Sequence, residues 1–192
     1  KGESLADTVK IMSNYSDVLV LRHPLDGSSR FAAEVSSKPV INAGSGTEEH
    51  PTQAIQDLFT IRKEKKKIDG LKIGIIGDLK YGRKVYSLLH GLGNYDVDVH
   101  LISPESLRIR SDSIYEIKKK LSFTESTKIE DYIDDLDVLY VTRIQKERFP
   151  DEEEYLKVKG SYVVGLDLLQ KMKDDSIILH PLPRLDEIST DV

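Results

Sequence analysis

The sequence contains no cysteine. That excludes disulfides, cysteine-ligated zinc and thiol catalysis, and it leaves the redox compartment open. No apolar run approaches the roughly 18 residues of a membrane span. The first residues, Lys1-Gly2-Glu3-Ser4, are polar and do not form a signal peptide. A soluble cytoplasmic protein with no membrane partner is the expectation. Excess positive charge is also missing. The formal net charge of −5 argues against nonspecific nucleic-acid binding and leaves room for a locally basic pocket. There is no Walker lysine motif, no serine in a Gly-x-Ser-x-Gly elbow, and no His/Asp/Glu group with metal-ligand spacing. Gly74-Ile75-Ile76-Gly77-Asp78 lacks the spacing of a dinucleotide fingerprint. No metal and no cofactor are expected.

What is present fits an α/β protein of one large or two small domains. The chain has 192 residues, 39% of them hydrophobic, enough for a real core. Charged residues reach 32%, above the usual quarter, a level shared by thermophiles and well-solvated mesophile surfaces. There is no internal repeat. The polar start and the abrupt stop at Asp191-Val192 read as a piece of a longer fold.

Hydrophobic periodicity places the elements. Leu5, Val9 and Met12 share a helical face over about residues 4–15. Val18-Leu19-Val20-Leu21 reads as a buried parallel strand followed by Arg22-His23-Pro24. Ser28 or Ser29 is expected to cap a helix through Val35. Pro39-Val40-Ile41 reads as a second strand, ending in a glycine turn at Asn42-Ala43-Gly44-Ser45-Gly46. Pro51 suits the first turn of the next helix, with Ile55, Leu58 and Phe59 as its buried face. The run Arg62 to Lys67 is its solvated end. A domain boundary is expected at Asp69-Gly70, giving units 1–68 and 69–192. Strands follow at 71–76, 97–101, 138–141 and 177–179, with helices between them through Val85, Leu88 and Leu89, through Ile114, Ile117 and Leu121, and at 165–172. Asp151-Glu152-Glu153-Glu154 reads as a solvated helix start. This alternation predicts parallel sheets with helices on both faces.

Open parallel sheets bind ligands at the carboxyl ends of their strands, and the unusual polar residues lie there. Arg22, Asp78 to Arg83, Arg143 and His180 to Arg184 each follow a strand. One arginine there is usually a surface residue or a structural ion pair. Several together, beside glycines and prolines, point to an anionic substrate, because the guanidinium fork binds carboxylate or phosphate bidentately and stays charged. His50 opens a helix in His50-Pro51-Thr52-Gln53. It reads either as a helix cap or as a donor to an oxygen gaining negative charge. Gln53, three residues on, shares its bearing. His23, His90 and His100 read as structural. His180 is ambiguous, because the Pro-Leu-Pro after it offers backbone carbonyls.

Together these motifs resemble the catalytic chain of the aspartate carbamoyltransferase family along essentially the whole length. The resemblance is carried by Lys1-Gly2-Glu3-Ser4-Leu5-Ala6-Asp7-Thr8, Arg22-His23-Pro24, Asn42-Ala43-Gly44, His50-Pro51-Thr52-Gln53 and Gly77-Asp78-Leu79-Lys80-Tyr81-Gly82-Arg83. It continues through Thr142-Arg143-Ile144-Gln145-Lys146-Glu147-Arg148 and His180-Pro181-Leu182-Pro183-Arg184 with Asp186-Glu187-Ile188. The resemblance implies the aspartate/ornithine carbamoyltransferase fold, two parallel-sheet α/β domains with the first only partly present. It implies transfer of the carbamoyl group of carbamoyl phosphate to L-aspartate, the committed step of pyrimidine synthesis, with no cofactor. Arg22 and His50 would contact the carbamoyl oxygen, Arg22 also the phosphate. Gln53 and the carbonyls of Leu182 and Pro183 would bind the amino group. Arg83 would take the α-carboxylate of aspartate, and Arg143 with Gln145 its side-chain carboxylate. Lys1 would reach the neighbouring subunit's site in a homotrimer, which in this family is often joined to regulatory chains.

Two departures stand out. The family's phosphate loop, a Ser-Thr-Arg-Thr-Arg type motif upstream of Lys1, and its C-terminal helix are not in this stretch, so the stretch alone is expected to be inactive. Thr47-Glu48-Glu49 before His50 is more acidic than is usual and would repel a dianion unless it points away or pairs with lysines. Ornithine carbamoyltransferase is the alternative by chemistry, although that family typically has His-Cys-Leu-Pro where this chain has His180-Pro181-Leu182-Pro183. A non-catalytic amino-acid-binding module is the alternative of another class.

Overall fold

The computed structural model describes residues 2–46, 49–146 and 149–192. Helix α1 (Leu5–Ser13) starts at a capping box, in which the Asp7 N–H donates to Ser4 Oγ and the Ser4 N–H to Asp7 Oδ2. Strands β1 (Leu19–His23) and β2 (Val40–Ser45) pair in parallel across α2 (Ser28–Val35). The long helix α3 (Pro51–Lys65) leads to β3 (Lys72–Ile76), α4 (Arg83–Leu92), β4 (Asp98–Ile102), α5 (Ser111–Lys118) and β5 (Phe123–Ser126). Then come β6 (Val138–Val141), α6 (Glu152–Val158), α7 (Leu166–Leu169) and β7 (Ile177–Leu179).

The second sheet has five parallel strands in the order β5-β4-β3-β6-β7. Side chains alternate across it, as the two-residue period of a strand requires. Ile73, Ile75, Val99, Leu101, Val138 and Tyr140 face one core, with Ile61 of α3 and Val85, Leu88 and Leu89 of α4. Ile76, Ile102, Leu139 and Val141 face a second core with Leu168 of α7. Both faces are covered, so these strands read as continuous apolar runs. The chain leaves β3 toward β4 on one side and returns to β6 on the other. The β3/β6 boundary is therefore a topological switch point, where loops diverge and a crevice opens. Gly77, at φ +114°, lets the chain turn there, and a Cβ at this position would run into the Thr142 carbonyl.

Several sequence expectations change. β1 extends through Arg22 and His23, so Arg22 lies in the strand rather than after it. The expected glycine turn is strand through Ser45, with an irregular register opposite Leu21–His23. The cap of α2 is Gly27, at φ 71°, and neither serine caps it. The serines fasten the helix instead: Ser28 Oγ donates to the Leu25 carbonyl (2.8 Å), and Ser45 Oγ donates to Ser29 Oγ (2.6 Å). On α3 the buried residues are Ala54, Asp57 and Ile61. Leu58 packs against the core, while Ile55 and Phe59 are exposed at 67% and 66%. In the expected solvated run, Lys65 is drawn onto Asp175 at 2.7 Å and largely covered. The last expected helix shortens to Leu166–Leu169, and the edge strand β5 had no counterpart in the sequence reading. Asp151 caps α6 by accepting from the Glu153 N–H, so the acidic run is a helix start.

Candidate active site

Side chains from both sheets meet in one cleft of about 400 Å³. Arg22 arrives from β1, and His50 and Gln53 from the start of α3. Arg83 comes from the start of α4, Arg143 and Gln145 from the loop after β6, and Pro181, Leu182 and Pro183 from the turn after β7. Every site residue expected from the sequence lines this cleft except Lys1, which lies outside the described residues, as does Glu48. Glu49 is not part of the lining; its Oε2 accepts from Asn42 Nδ2 at 3.0 Å, away from the cleft.

His50 is the N-cap of α3 through its backbone alone. Its carbonyl accepts from the N–H groups of Gln53 and Ala54, and its own N–H donates to Ser87 Oγ at 2.8 Å. The ring makes no capping bond, which removes the cap reading of that side chain. Nδ1 lies 3.3 Å from Thr52 Oγ1. If that hydroxyl donates to Nδ1, the ring proton sits on Nε2. Gly44, at φ +118°, leaves the room the ring needs: a Cβ there would lie 3.3 Å from His50 Cδ2 and 3.4 Å from Arg83 Nη2. Burial, then Arg83, Lys84 and Arg22, push the His50 pKa below its ordinary value, so the ring is neutral near pH 7.

The sign of that shift gives a testable result. The neutral ring's contribution is present above the ordinary pKa of about 6.5 and is lost as pH falls through the lowered value. In proton NMR the His50 ring of the unliganded protein titrates below 6.5, and a phosphonate dianion in the cleft moves the midpoint up. A midpoint above 6.5 without ligand contradicts the assigned surroundings.

Arg83 reaches from α4 back to the first half, donating through Nη1 to the Gly46 carbonyl. Its loop is shaped by Asp78, a buried carboxylate whose Oδ1 accepts from the N–H groups of Lys80 (3.1 Å) and Tyr81 (2.9 Å). Arg143 is aimed from the switch point. Thr142 anchors that end of β6, with its N–H (2.8 Å) and Oγ1 (2.9 Å) both donating to the Ile76 carbonyl.

Lys84 is a cleft residue that the sequence reading passed over. Its Nζ donates to the carbonyls of Pro181 (3.0 Å) and Leu182 (2.9 Å). His180 holds the same turn from the other side. Its Nδ1 accepts from the Leu182 N–H at 2.9 Å, which leaves Nε2 facing Glu187 Oε1 at 2.8 Å. Burial and then the Glu187 carboxylate act on this ring in opposite directions; the net shift is downward. These contacts hold Leu182 at φ 51°, a conformation that costs a non-glycine residue about 1–3 kcal/mol. Burial and Arg83 lower the Lys84 pKa, with Arg22 and Arg143 adding to the effect and Asp57 opposing it. The only sequence signal for Lys84 was its place beside Arg83. His23 and His100 are structural as expected: His23 Nδ1 accepts from the Leu25 N–H, and His100 Nδ1 lies 2.7 Å from Thr124 Oγ1.

Behind Gln53, and not part of the cleft lining, lies a buried carboxylate: Gln53 Nε2 donates to Asp57 Oδ1 (2.9 Å), and the Tyr140 hydroxyl donates to Asp57 Oδ2 (2.8 Å). The arrangement is a cluster of fixed cations, one neutral imidazole and a set of amide and carbonyl groups. It suits a small ligand carrying several negative charges and an amide-like group.

Known proteins resemble this chain in sequence and in fold. Residues 1–63 match the carbamoyl-P binding domain of the aspartate/ornithine carbamoyltransferases, and residues 69–192 match their Asp/Orn binding domain. The chain is 88% identical over 192 residues to the aspartate carbamoyltransferase catalytic subunit of Nitrosopumilus maritimus, and 58% identical over 193 residues to that of Thermococcus kodakarensis. It spans 62% of the length of each relative. Its fold superposes on the catalytic subunit of M. jannaschii aspartate transcarbamoylase with a TM-score of 0.89 at 51% identity, covering 99% of this chain and 62% of that one. The aspartate transcarbamoylase of Trypanosoma cruzi in complex with N-(phosphonacetyl)-L-aspartic acid gives 0.91 at 38% identity over the same shares. With both family domains matched across the two halves of one cleft, the chain belongs to the aspartate/ornithine carbamoyltransferase family.

Proposed function

We propose that this chain forms the cleft of an enzyme that transfers the carbamoyl group of carbamoyl phosphate to the α-amino group of L-aspartate, giving N-carbamoyl-L-aspartate and phosphate for pyrimidine synthesis. The observation that carries the choice of aspartate over ornithine is the charge of the amino-acid end. Arg83, Lys84 and Arg143 line it together, and among the described residues the cleft lining holds no carboxylate to receive a side-chain ammonium. An amino acid with two carboxylates fits this cluster, whereas ornithine would set its cation against Arg143.

In this reading Arg22 and the phosphate pair, and His50 and Arg22 donate to the carbamoyl oxygen as it gains charge. Gln53 and the carbonyls of Leu182 and Pro183 take the carbamoyl amino group. Arg83 binds the α-carboxylate of aspartate, and Arg143 with Gln145 binds its side-chain carboxylate. The amine nitrogen forms a bond to the carbamoyl carbon, and the carbon–oxygen bond to phosphate breaks. The departing phosphate takes the amine proton. Orientation and oxyanion stabilisation supply the rate. Residues 1–68 act as part of the carbamoyl phosphate unit with its linking helix, and 69–192 as the aspartate unit. The working form is a cytoplasmic homotrimer in which Lys1 enters the neighbour's site, with regulatory chains as a further partner. Support for the trimer and for Lys1 comes from the motif resemblance. Among the described residues no helix is long and apolar enough to cross a membrane.

Calorimetry of the full-length chain tests the ligand pair directly. N-(phosphonacetyl)-L-aspartate binds at one site per chain, and the corresponding ornithine conjugate binds at least about a hundredfold more weakly, a difference of two charge-assisted contacts. The reverse order would overturn the choice of aspartate.

A further inference from the structure

Asp57 is an unusual residue to find inside α3. It is only 7% exposed, while Ile55 and Phe59 of the same helix face outward. A buried carboxylate is costly unless it is well hydrogen-bonded. Both oxygens have partners: Gln53 Nε2 at 2.9 Å on one and the Tyr140 hydroxyl at 2.8 Å on the other. Tyr140 is itself fully buried on β6. Burial pushes the Asp57 carboxyl up, the Gln53 and Tyr140 donors and the Lys84 ammonium oppose that, and the net shift is upward.

The consequence lies in the two ends of the Gln53 amide. Both Asp57 oxygens act as acceptors, one from Gln53 and one from Tyr140, so the carboxylate takes the NH₂ end of the amide and repels the carbonyl end. With Nε2 committed to Asp57, Oε1 is the end left for the cleft. We infer that Asp57 is a positioning residue that fixes Gln53 with its carbonyl oxygen toward the ligand, so that the site selects an acyl phosphate bearing an NH₂ group and rejects its methyl isostere. Tyr140 extends the lock to β6, the strand whose following loop carries Arg143, and so couples the amide-reading helix to the carboxylate-reading loop. The inference rests on the carbamoyl phosphate reading of the cleft and deepens it.

The test uses the full-length chain and compares carbamoyl phosphate with acetyl phosphate, in which a methyl group replaces NH₂. The readout is the ratio of the acetyl phosphate inhibition constant to the carbamoyl phosphate KM. Asp57→Ala lowers this ratio about tenfold, as expected when a fixed buried hydrogen-bond orientation is lost. Asp57→Asn, which still offers one acceptor, restores part of it. A merely structural role would weaken both ligands alike and leave the ratio unchanged, and that result overturns the inference. Wild-type protein that does not turn over carbamoyl phosphate would instead overturn the functional reading. Should the variants not fold, the wild type decides by NMR. The Gln53 Nε2 protons, assigned by their loss in Gln53→Met, are protected from solvent exchange; rapid exchange at random-coil shifts overturns the lock.

Discussion

Replacing His50 by alanine in the full-length chain lowers kcat for carbamoyl transfer by about 10²–10³-fold, the usual cost of one oxyanion donor, with little change in the KM for aspartate. The split follows from where the ring sits. His50 is held by its backbone, through Ser87 on one side and the first turn of α3 on the other. Removing the imidazole therefore leaves the helix start in place. What is lost is a neutral donor, kept neutral by burial and by Arg83, Lys84 and Arg22. Its bond to the carbonyl oxygen strengthens as that oxygen becomes anionic, so it counts most in the transition state. His50→Asn, which keeps an N–H donor, recovers part of the rate. A fall in kcat of less than about threefold for His50→Ala would contradict the role of a single oxyanion donor, normally worth about 2.7–4 kcal/mol.

Arg143→Ala has the opposite signature. Its kcat/KM for aspartate falls by about ten- to 150-fold, equivalent to the roughly 1.5–3 kcal/mol of a charge-assisted hydrogen bond, and carbamoyl phosphate affinity changes little. Arg143 is aimed by the end of β6, where Thr142 bonds twice to the Ile76 carbonyl at the switch point. The strand is set by the sheet and not by the guanidinium, so truncation leaves the loop's origin unchanged. Arg143→Lys rescues only in part, because a single ammonium cannot reproduce a fork matched to a carboxylate. Steady-state kinetics with each substrate varied in turn reads this directly. An equal loss for both substrates would contradict the assignment.

Much of this was legible in the sequence, for identifiable reasons. β3, β4 and β6 are buried on both faces or nearly so and β7 is half-buried, and each leaves a short apolar run. Parallel strands put their carboxyl ends at one edge, so Arg22, Arg83 and Arg143 were placed together before any contact was known. β5 was missed because Phe123-Thr124-Glu125-Ser126 is an edge strand with three of its four residues polar. The buried face of α3 was read from Ile55, Leu58 and Phe59 because periodicity counts apolar residues and not partners. The partners of Asp57 decide otherwise: Tyr140 of β6 anchors that side of the helix to the sheet, and Gln53 one turn away satisfies the other carboxylate oxygen. Lys84 escaped for the same reason. A lysine after an arginine at a helix start looks like surface, and its meaning appears only when the 181–182 carbonyls are brought beside it. Gly44 was read as part of the turn that Gly46 makes, because glycine marks turns. Here Gly44 instead lets a strand carry His50 and Arg83 against its backbone.

The central claim is that the two halves of the cleft read carbamoyl phosphate and an amino acid with two carboxylates. It is tested most directly by one competition. The full-length chain is given carbamoyl phosphate with equimolar L-aspartate and L-ornithine, and both carbamoylated products are quantified by mass spectrometry. N-Carbamoyl-L-aspartate as essentially the sole product is the expected result. Carbamoylated ornithine as the main product would contradict the account.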